Sequence, residues 1–554
     1  MKGNPSGRGM ERLLGKGRGL VRRSVATAKL LSPARLYRIR EAARWRRDGE
    51  AVLADFMAGS EPRFKGAVLV DGMWDNPNYW IRYVLFRAAV GSAGGREVGV
   101  VGIHRAAEGR RTLERFGVSR TAQVLDLRGD MAEHQREARR LLAETKTPAD
   151  VLSWRLPHDL PADFVYDGIL KRQRSACVDL ADGRLAGYVT EALASIASAD
   201  TLLDSDRFEL ILLSHAVNFQ FAALAWLAIR RGIPVVLLYG NYGVPRFVKL
   251  SQPAHLYDAI DRPAAADLAS TSEARQRQLA AVGGAYIGKR LVGGTDDIGA
   301  RYAYQTADAR VSRAALVEKF GWDPDRPIVG IYASNWFDFP HPCGMTHFRD
   351  FLDWTEATLG VAQRQRGVNW LFKAHPCDQW YGGVTLADLM PRPAGGGHVQ
   401  LAPTDWNGSA VLEAVDAVVT YHGTVGIEAA AAGKPVLVAD RGWYHDAGFV
   451  IWPRSREEYL DLLAADWWKS VDLPTTRRRA QVFAGWYFGR PAWQGGFVLT
   501  DDTLQAPIYA RIPRLFAENP EALRRELETI RAWFASDHRH YHTFKMMLAE
   551  ELAW

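Results

Sequence analysis

The sequence predicts an α/β protein built as two doubly wound halves that face a cleft, closed by C-terminal helices. Three observations carry this expectation. Short runs rich in Val, Ile and Leu recur without polar alternation, the pattern of parallel strands covered on both faces. Helical stretches that end in glycine separate them, which gives the order strand, helix, strand. At 554 residues the chain is too long for one core, and the pattern breaks at a polar stretch before restarting at Pro327.

The elements follow in order. Residues 1–60 read as a basic N-terminal leader with helical stretches, and 61–290 as a first Rossmann-like domain. In that domain "GAVLV" (66–70), "EVGVVGI" (97–103), "FELILLS" (208–214) and "IPVVLLYG" (233–240) are strands. "NYWIRYVLFRAAVGSAG" (78–94) and "FQFAALAWLAIRRG" (219–232) are its helices. A polar linker, 291–326, contains "GGTDDIGA" and "DPDRP". The second Rossmann-like domain, 327–500, has "PIVGIYAS" (327–334), "NWLFKAHP" (369–376), "AVVTYHG" (417–423) and "KPVLVAD" (434–440) as strands. Residues 501–554 are helical, most clearly at "PEALRRELETIRAWFA". In such open sheets a ligand sits outside the carboxyl ends of the strands.

Composition narrows the class. Hydrophobic residues at 47% and charged residues at 24% describe a soluble globular protein. Three cysteines exclude a disulfide framework and point to a reducing, cytoplasmic compartment. The first twenty residues have charge but no apolar core, so they are not a secretory signal. The most apolar stretch, 208–229, is interrupted by Glu209, His215, Asn218 and Gln220, and reads as strand and helix rather than a membrane span. Residues 1–47 hold fourteen Lys/Arg against two Glu, and the remainder is slightly acidic. That leader suits peripheral contact with an anionic inner-membrane surface; the plainer reading is a solvated tail or a docked helix. Nucleic acid is not expected as a partner, because the body has no basic stripe with interleaved aromatics.

Function concentrates in "DAVVTYHGTVGIEAAAAGKPVLVAD" (416–440), where a strand passes to a helix through His422, Gly423 and Thr424. A helix start offers unpaired N–H groups and a partial positive charge, which suit a phosphate. Gly423 permits close backbone approach, and the Thr424 hydroxyl meets a phosphate oxygen or merely caps the helix. Glu428, one turn on, is placed to accept hydrogen bonds from the sugar hydroxyls of a nucleotide. A second strand end, "FKAHPCD" (372–378), brings Lys373, His375 and Pro376 towards the same crevice, where a donor stabilises a leaving phosphate. Asn335 and Trp336 follow the first strand of this half and are expected to line the cleft.

"KAHP" followed by "DAVVTYHGTVGIEAAAAGKPVLV" resembles the donor domain of GT-B glycosyltransferases of the capsule polysaccharide biosynthesis group, which includes bacterial Kdo transferases. "RGWYHDAGF" (441–449) and "SDHRHYHTF" (536–544) are similar to surface-polysaccharide enzymes of that group. The resemblance covers mainly 369–452. It implies that His375 and Thr424 contact the donor phosphate and Glu428 the nucleoside, with CMP, CDP or UDP as the donor nucleotide. Two motifs of some relatives are missing: a first-half acidic-acidic-glycine base motif, and a second glutamate eight positions after Glu428, where Val436 stands. No cofactor beyond the nucleotide-sugar substrate is implied.

The first half then presents the acceptor, a glycan or lipid-linked saccharide, and the base. "VDGMWDNPNYW" (70–80) places Asp71 and Asp75 among Trp74, Tyr79 and Trp80, rings suited to a sugar face; the plainer reading is a turn and a helix cap. His215 closes another strand and is the alternative base. Arg246, in "GNYGVPR", suits an anionic acceptor or the donor phosphate. Asp204-Ser-Asp206 and Asp323-Pro-Asp325 precede their strands, the wrong side for a metal bridge, so metal independence is expected. Two His-Pro-Cys triplets (341–343 and 375–377) lack a familiar zinc spacing, and His538, His540 and His542 read as packing at a helix start. The reading is a glycosyltransferase of surface polysaccharide synthesis. A nucleotide-sugar 2-epimerase, a CDP-glycerol-type transferase and a non-catalytic polysaccharide binder are its alternatives.

Overall fold

A computed structural model of the chain describes residues 33–73, 77–102, 106–124, 131–238, 240–241, 244–245, 247–295, 300, 303–304, 311–391, 397–489, 512–513 and 516–541. The first sheet contains β1 (Ala67–Asp71), β2 (Glu97–Gly102), β3 (Arg120–Val124), β4 (Phe208–Leu213), β5 (Val235–Leu237) and β8 (Val248–Leu250). Its order is β3-β2-β1-β4-β5-β8, parallel except for β8, which runs against β5. Between β5 and β8 a two-residue ladder joins β6 (Gly240–Asn241) to β7 (Val244–Pro245). The second sheet is parallel throughout, with order β11-β10-β9-β12-β13. Its strands are β9 (Ile328–Tyr332), β10 (Asn369–Lys373), β11 (Val399–Leu401), β12 (Ala417–Thr420) and β13 (Val436–Val438). Both sheets therefore reverse direction beside their first strand, between β1 and β4 and between β9 and β12. These are the switch points where a crevice opens.

Every run expected as a strand forms one. In the two main sheets three strands escape the apolar pattern: β3, β8 and β11. Each lies at a sheet edge, with one strand neighbour, so sequences as polar as RTAQV, VKL and VQL serve there.

Eleven helices position the parts discussed below: α1 (Pro33–Ala58), α2 (Pro77–Val90), α3 (Ala106–Arg115), α4 (Ala162–Gln173), α5 (Leu185–Asp204), α6 (Phe219–Arg230), α7 (Glu273–Leu291), α8 (Phe351–Arg364), α9 (Val425–Ala431), α10 (Leu473–Phe488) and α11 (Pro520–Ala535). Separate apolar clusters cover the faces of each sheet, so the chain forms two doubly wound domains, as expected.

The boundary between them differs from the expected one. Residues 265–290, assigned from the sequence to the first domain, join the second core through Leu268, Leu279 and Ile287. The cause is a close crossing of α7 with α10. A Cβ on Gly283 would stand 2.0 Å from the Gln481 carbonyl oxygen, and one on Gly485 2.0 Å from that of Leu279. Only glycine on both helices permits that approach. In turn, α11 returns to the first domain, where Ile530 and Trp533 join its core. Residues 536–541 follow as an extended strap: Lys249 N donates to Arg539 O (2.9 Å) and Tyr541 N to Phe247 O (2.8 Å). His538 and His540 are thus on a strap beside β8, not at a helix start, and His542 lies outside the described residues.

Polar contacts tie the domains together. Tyr166 on α4 donates to Asp350 (2.6 Å), His341 Nδ1 meets Asp167 (2.6 Å), and Lys171 Nζ donates to Asp338 (2.7 Å). Among the described residues no helix is long and apolar enough to cross a membrane.

Candidate functional site

A cavity of about 740 Å³ opens at the carboxyl ends of β9, β10 and β12, the switch point of the second sheet. Eight residues singled out from the sequence line it: Asn335, Lys373, His375, Pro376, His422, Gly423, Thr424 and Glu428. Three strand ends and one helix start, separated by up to ninety-three positions in the chain, converge there.

Each wall has a local cause. β10 ends at Lys373, and Pro376 begins a short 3₁₀ turn capped by His375. His375 Nδ1 accepts from Cys377 N (3.1 Å), so the neutral ring carries its proton on Nε2. Burial pushes the His375 pKa down to about 4, which keeps the ring a neutral donor at physiological pH. Burial also lowers the Lys373 ammonium from its ordinary value, and Asp405 offsets only part of that. A desolvated cation on a cavity wall favours an anionic ligand.

The turn from β12 into α9 is held from behind. Tyr444 donates through its hydroxyl to Gly423 O (2.6 Å). A Cβ on Gly426 would lie 2.2 Å from that hydroxyl, so glycine is required at 426. Tyr421 donates to the buried Asp440 carboxylate (2.6 Å), which also accepts from the backbone of Thr346, His347 and Arg441 (each 2.6 Å). Thr424 has helical backbone angles and makes no capping bond with its side chain, and its residue lines the cavity. Glu428 is buried at the base, where Arg290 Nε and the Tyr304 hydroxyl each donate to one of its oxygens. That pinned carboxylate retains lone pairs for a further donor.

Three buried polar atoms on residues lining the cavity have no hydrogen-bond partner among the described residues: Ser334 Oγ, Asn335 Oδ1 and His422 Nδ1. Burial pushes the His422 pKa down to about 4. Unpaired buried polar groups are costly unless a ligand completes them.

The first-half expectations fare differently. Asp71 is fully buried at the end of β1, with Oδ1 accepting from Met73 N (2.7 Å) and Oδ2 from Ser214 N (3.0 Å) and the Ser214 hydroxyl. Because the strand ends need its oxygens for their N–H groups, Asp71 is an anchor and not an exposed base, which corrects the expectation; burial raises its pKa to about 6. Ser214 Oγ lies 2.9 Å from His215 Nδ1. With the hydroxyl proton given to Asp71, Oγ accepts from His215 Nδ1–H and leaves Nε2 as the nitrogen without a proton. Burial pushes the His215 pKa down to about 4, while Asp338 acts to raise it. Asp338 has the same influence on His375, so one carboxylate acts electrostatically on a strand-end histidine from each domain.

Tyr79, Trp80 and Trp336, expected as cleft aromatics, are buried in the core. The first two are fully buried on α2, and Trp336 stacks on Tyr381 (5.1 Å). Asp75 and Arg246 lie outside the described residues. Sequence reasoning missed Asp338, Ser334 and the half-exposed Trp380 on the cavity wall. "ASNWFDF" held the only available signal, a polar loop directly after a buried strand. Among the described residues no cluster of three or more His, Cys, Asp or Glu is gathered as a metal site. His341 of the first His-Pro-Cys triplet pairs with Asp167 instead.

Residues 359–457, which carry seven of those eight cavity residues, match the family described as "Capsule polysaccharide biosynthesis protein". No curated protein matches the chain. Solved structures resemble it loosely. UDP-GlcNAc 2-epimerase from Neisseria meningitidis, bound to UDP-GlcNAc, is 10% identical over 82% of this chain and 100% of its own, with a TM-score of 0.23. The β-Kdo 2,4 transferase KpsC from Thermosulfurimonas dismutans is 13% identical over 46% of this chain and 78% of its own, with a TM-score of 0.28. The glycosyltransferase SsfS6 from Streptomyces sp. SF2575 is 13% identical over 76% and 96%, with a TM-score of 0.23. The fold assignment rests on the strand order above.

Proposed function

We propose that the protein is a metal-independent glycosyltransferase of the GT-B type. In this reading it moves a sugar from a nucleotide-sugar donor to a glycan or lipid-linked saccharide in capsule or surface polysaccharide biosynthesis. One coincidence carries the reading. The segment matched to the capsule biosynthesis family supplies Lys373, His375, His422 and Thr424, and these line the cavity that holds the unpartnered polar atoms.

The chemistry follows from the groups. The acceptor hydroxyl oxygen attacks the anomeric carbon, and the bond from that carbon to the donor phosphate breaks with its electron pair on phosphate oxygen. Charge growing there meets the His375 Nε2–H and the Lys373 ammonium, donors already fixed and desolvated. His215 Nε2, across Asp338, receives the hydroxyl proton, with Ser214 and Asp71 positioning the ring. Metal independence rests on the sequence context of both Asp-x-Asp pairs; loss of activity in a chelator would sink it.

Thermal unfolding with CMP, CDP, UMP, UDP and GDP tests the donor site. A nucleotide at one hundred times its dissociation constant stabilises the native state by about 2.7 kcal/mol. Stabilisation by CMP alone supports a Kdo- or sialic-acid-like donor, by CDP a glycerol-phosphate type, and by UDP or GDP a hexose donor. His375→Ala is expected to weaken the preferred nucleotide about tenfold or more, the worth of a hydrogen bond to a charged group, and Thr424→Val to weaken it as well. No shift with any nucleotide, or unchanged affinity in both variants, refutes the site.

A further inference from the structure

The strongest feature outside the cavity is the N-terminal half of α1. Its C-terminal half packs into the first domain through Leu53 and Met57. In the N-terminal half Leu36 is 41% exposed, Tyr37 66%, Ile39 52% and Trp45 42%. These are half of the large apolar side chains left exposed among the described residues, and water is a poor partner for such a concentration.

A groove of about 610 Å³ runs between this stretch and α3. Arg40, Arg44 and Arg47 line it from α1, and Arg111 and Arg115 from α3. Glu41 and Glu108 also lie along it. Arg115 is committed to the buried Glu50, and Arg44 lies 3.9 Å from Asp48. Arg40, Arg47 and Arg111 have no carboxylate at ion-pair distance among the described residues. The chain before α1 continues the bias, with eight basic residues and one acidic in residues 1–32.

We propose that this groove is an anionic-phospholipid headgroup site that docks the first domain on a membrane surface. Arginine in α1 and α3 meets lipid phosphate, for which a guanidinium offers paired donors. Leu36, Tyr37 and Ile39 enter the boundary between headgroups and acyl chains. A nucleic acid satisfies the arginines but leaves Leu36 and Ile39 in water, so the bilayer is the occupant chosen here. The site lies on the first domain and does not depend on the donor reading: nucleotide binding and vesicle binding fail separately.

The test is co-sedimentation of the full chain with vesicles of phosphatidylcholine, alone or mixed with phosphatidylglycerol. Binding to the mixed vesicles is expected, weakening with salt. Arg40→Gln, Arg47→Gln and Arg111→Gln are each expected to lower the partition coefficient about fivefold, the weight of one basic residue near an anionic surface. Leu36→Ser with Ile39→Ser should lower it further, while Arg364→Gln, exposed on the second domain, should leave it unchanged. An unchanged thermal midpoint shows that each variant folds. Equal binding to both vesicle types, indifference to the three arginine substitutions, or retention on duplex DNA with no vesicle binding overturns the proposal. Competition by soluble glycerol phosphate with no vesicle binding also overturns it, since the groove then takes a free phosphate.

Discussion

Three strand-end histidines, His215, His375 and His422, are partly buried, and desolvation keeps them neutral, each with its pKa pushed down to about 4 from an ordinary 6.5. The unfolded chain binds their protons first as pH falls, so their contribution to stability is present above about pH 6.5 and is lost on the way to about pH 4. Asp71 runs the other way. Its pKa is raised to about 6, so the folded state gains its proton first and that residue favours folding as pH drops from about 6 to 4. Burial raises the pKa values of Asp163 and Asp167 as well, so the test is differential: in urea unfolding His422→Gln should lose less stability than the parent between pH 6.5 and 4. An equal pH dependence in variant and parent contradicts the desolvation of the His422 ring. At this scale the sequence was informative where residue type and strand end coincided, as for Lys373, His375 and Thr424. It misled at Asp71, because a carboxylate at a strand end looks the same whether it faces a cleft or the strand-end N–H groups.

Elements were legible in proportion to their burial. Central strands such as "GAVLV" and "AVVT" carry apolar side chains on both faces, whereas the edges β3, β8 and β11 have fewer neighbours and so no such pattern. The crossing of α7 with α10 is the element-level feature that composition hides. Gly283→Ala places a methyl against the Gln481 carbonyl, and a backbone atom cannot rotate away as a side chain can. Chemical denaturation of that variant is expected to show a loss of about 3 kcal/mol, the upper range for overpacking; Gly288→Ala, in open space on the same helix, should be neutral or slightly stabilising. Equal effects at both positions would mean that the helices separate at no cost.

Across the whole molecule, the domains meet where α4 faces the loop after β9. The His341 side chain is largely covered there, with 10% left exposed. Burial works against its charge, but Asp167, with Asp163 and Asp350, outweighs it and holds the pKa above its ordinary value. This contribution is full below about pH 6.5 and is lost as pH rises through the folded value, opposite to the three neutral histidines. Asp167→Ala removes one partner of a buried pair, for which a loss of about 3 kcal/mol is expected. In calorimetry the variant should unfold at lower temperature and in two separated transitions, one for each domain. A single transition at the parent temperature would show that the α4 contact does not couple them.

The sequence by itself determined the α/β class, the two repeats of strand and helix, and the residues of the second half that gather at one cavity. Those features are local: they follow from hydrophobic period, from glycine and proline at element ends, and from strands that place their last residues at one end of a sheet. The tertiary structure alone decided the domain boundary, the return of α11 to the first domain, the burial of Asp71 and Trp336, and the pairing of His341 with Asp167. Each of these depends on what approaches from elsewhere in the chain, and a side chain's type does not state which neighbour will take it out of water.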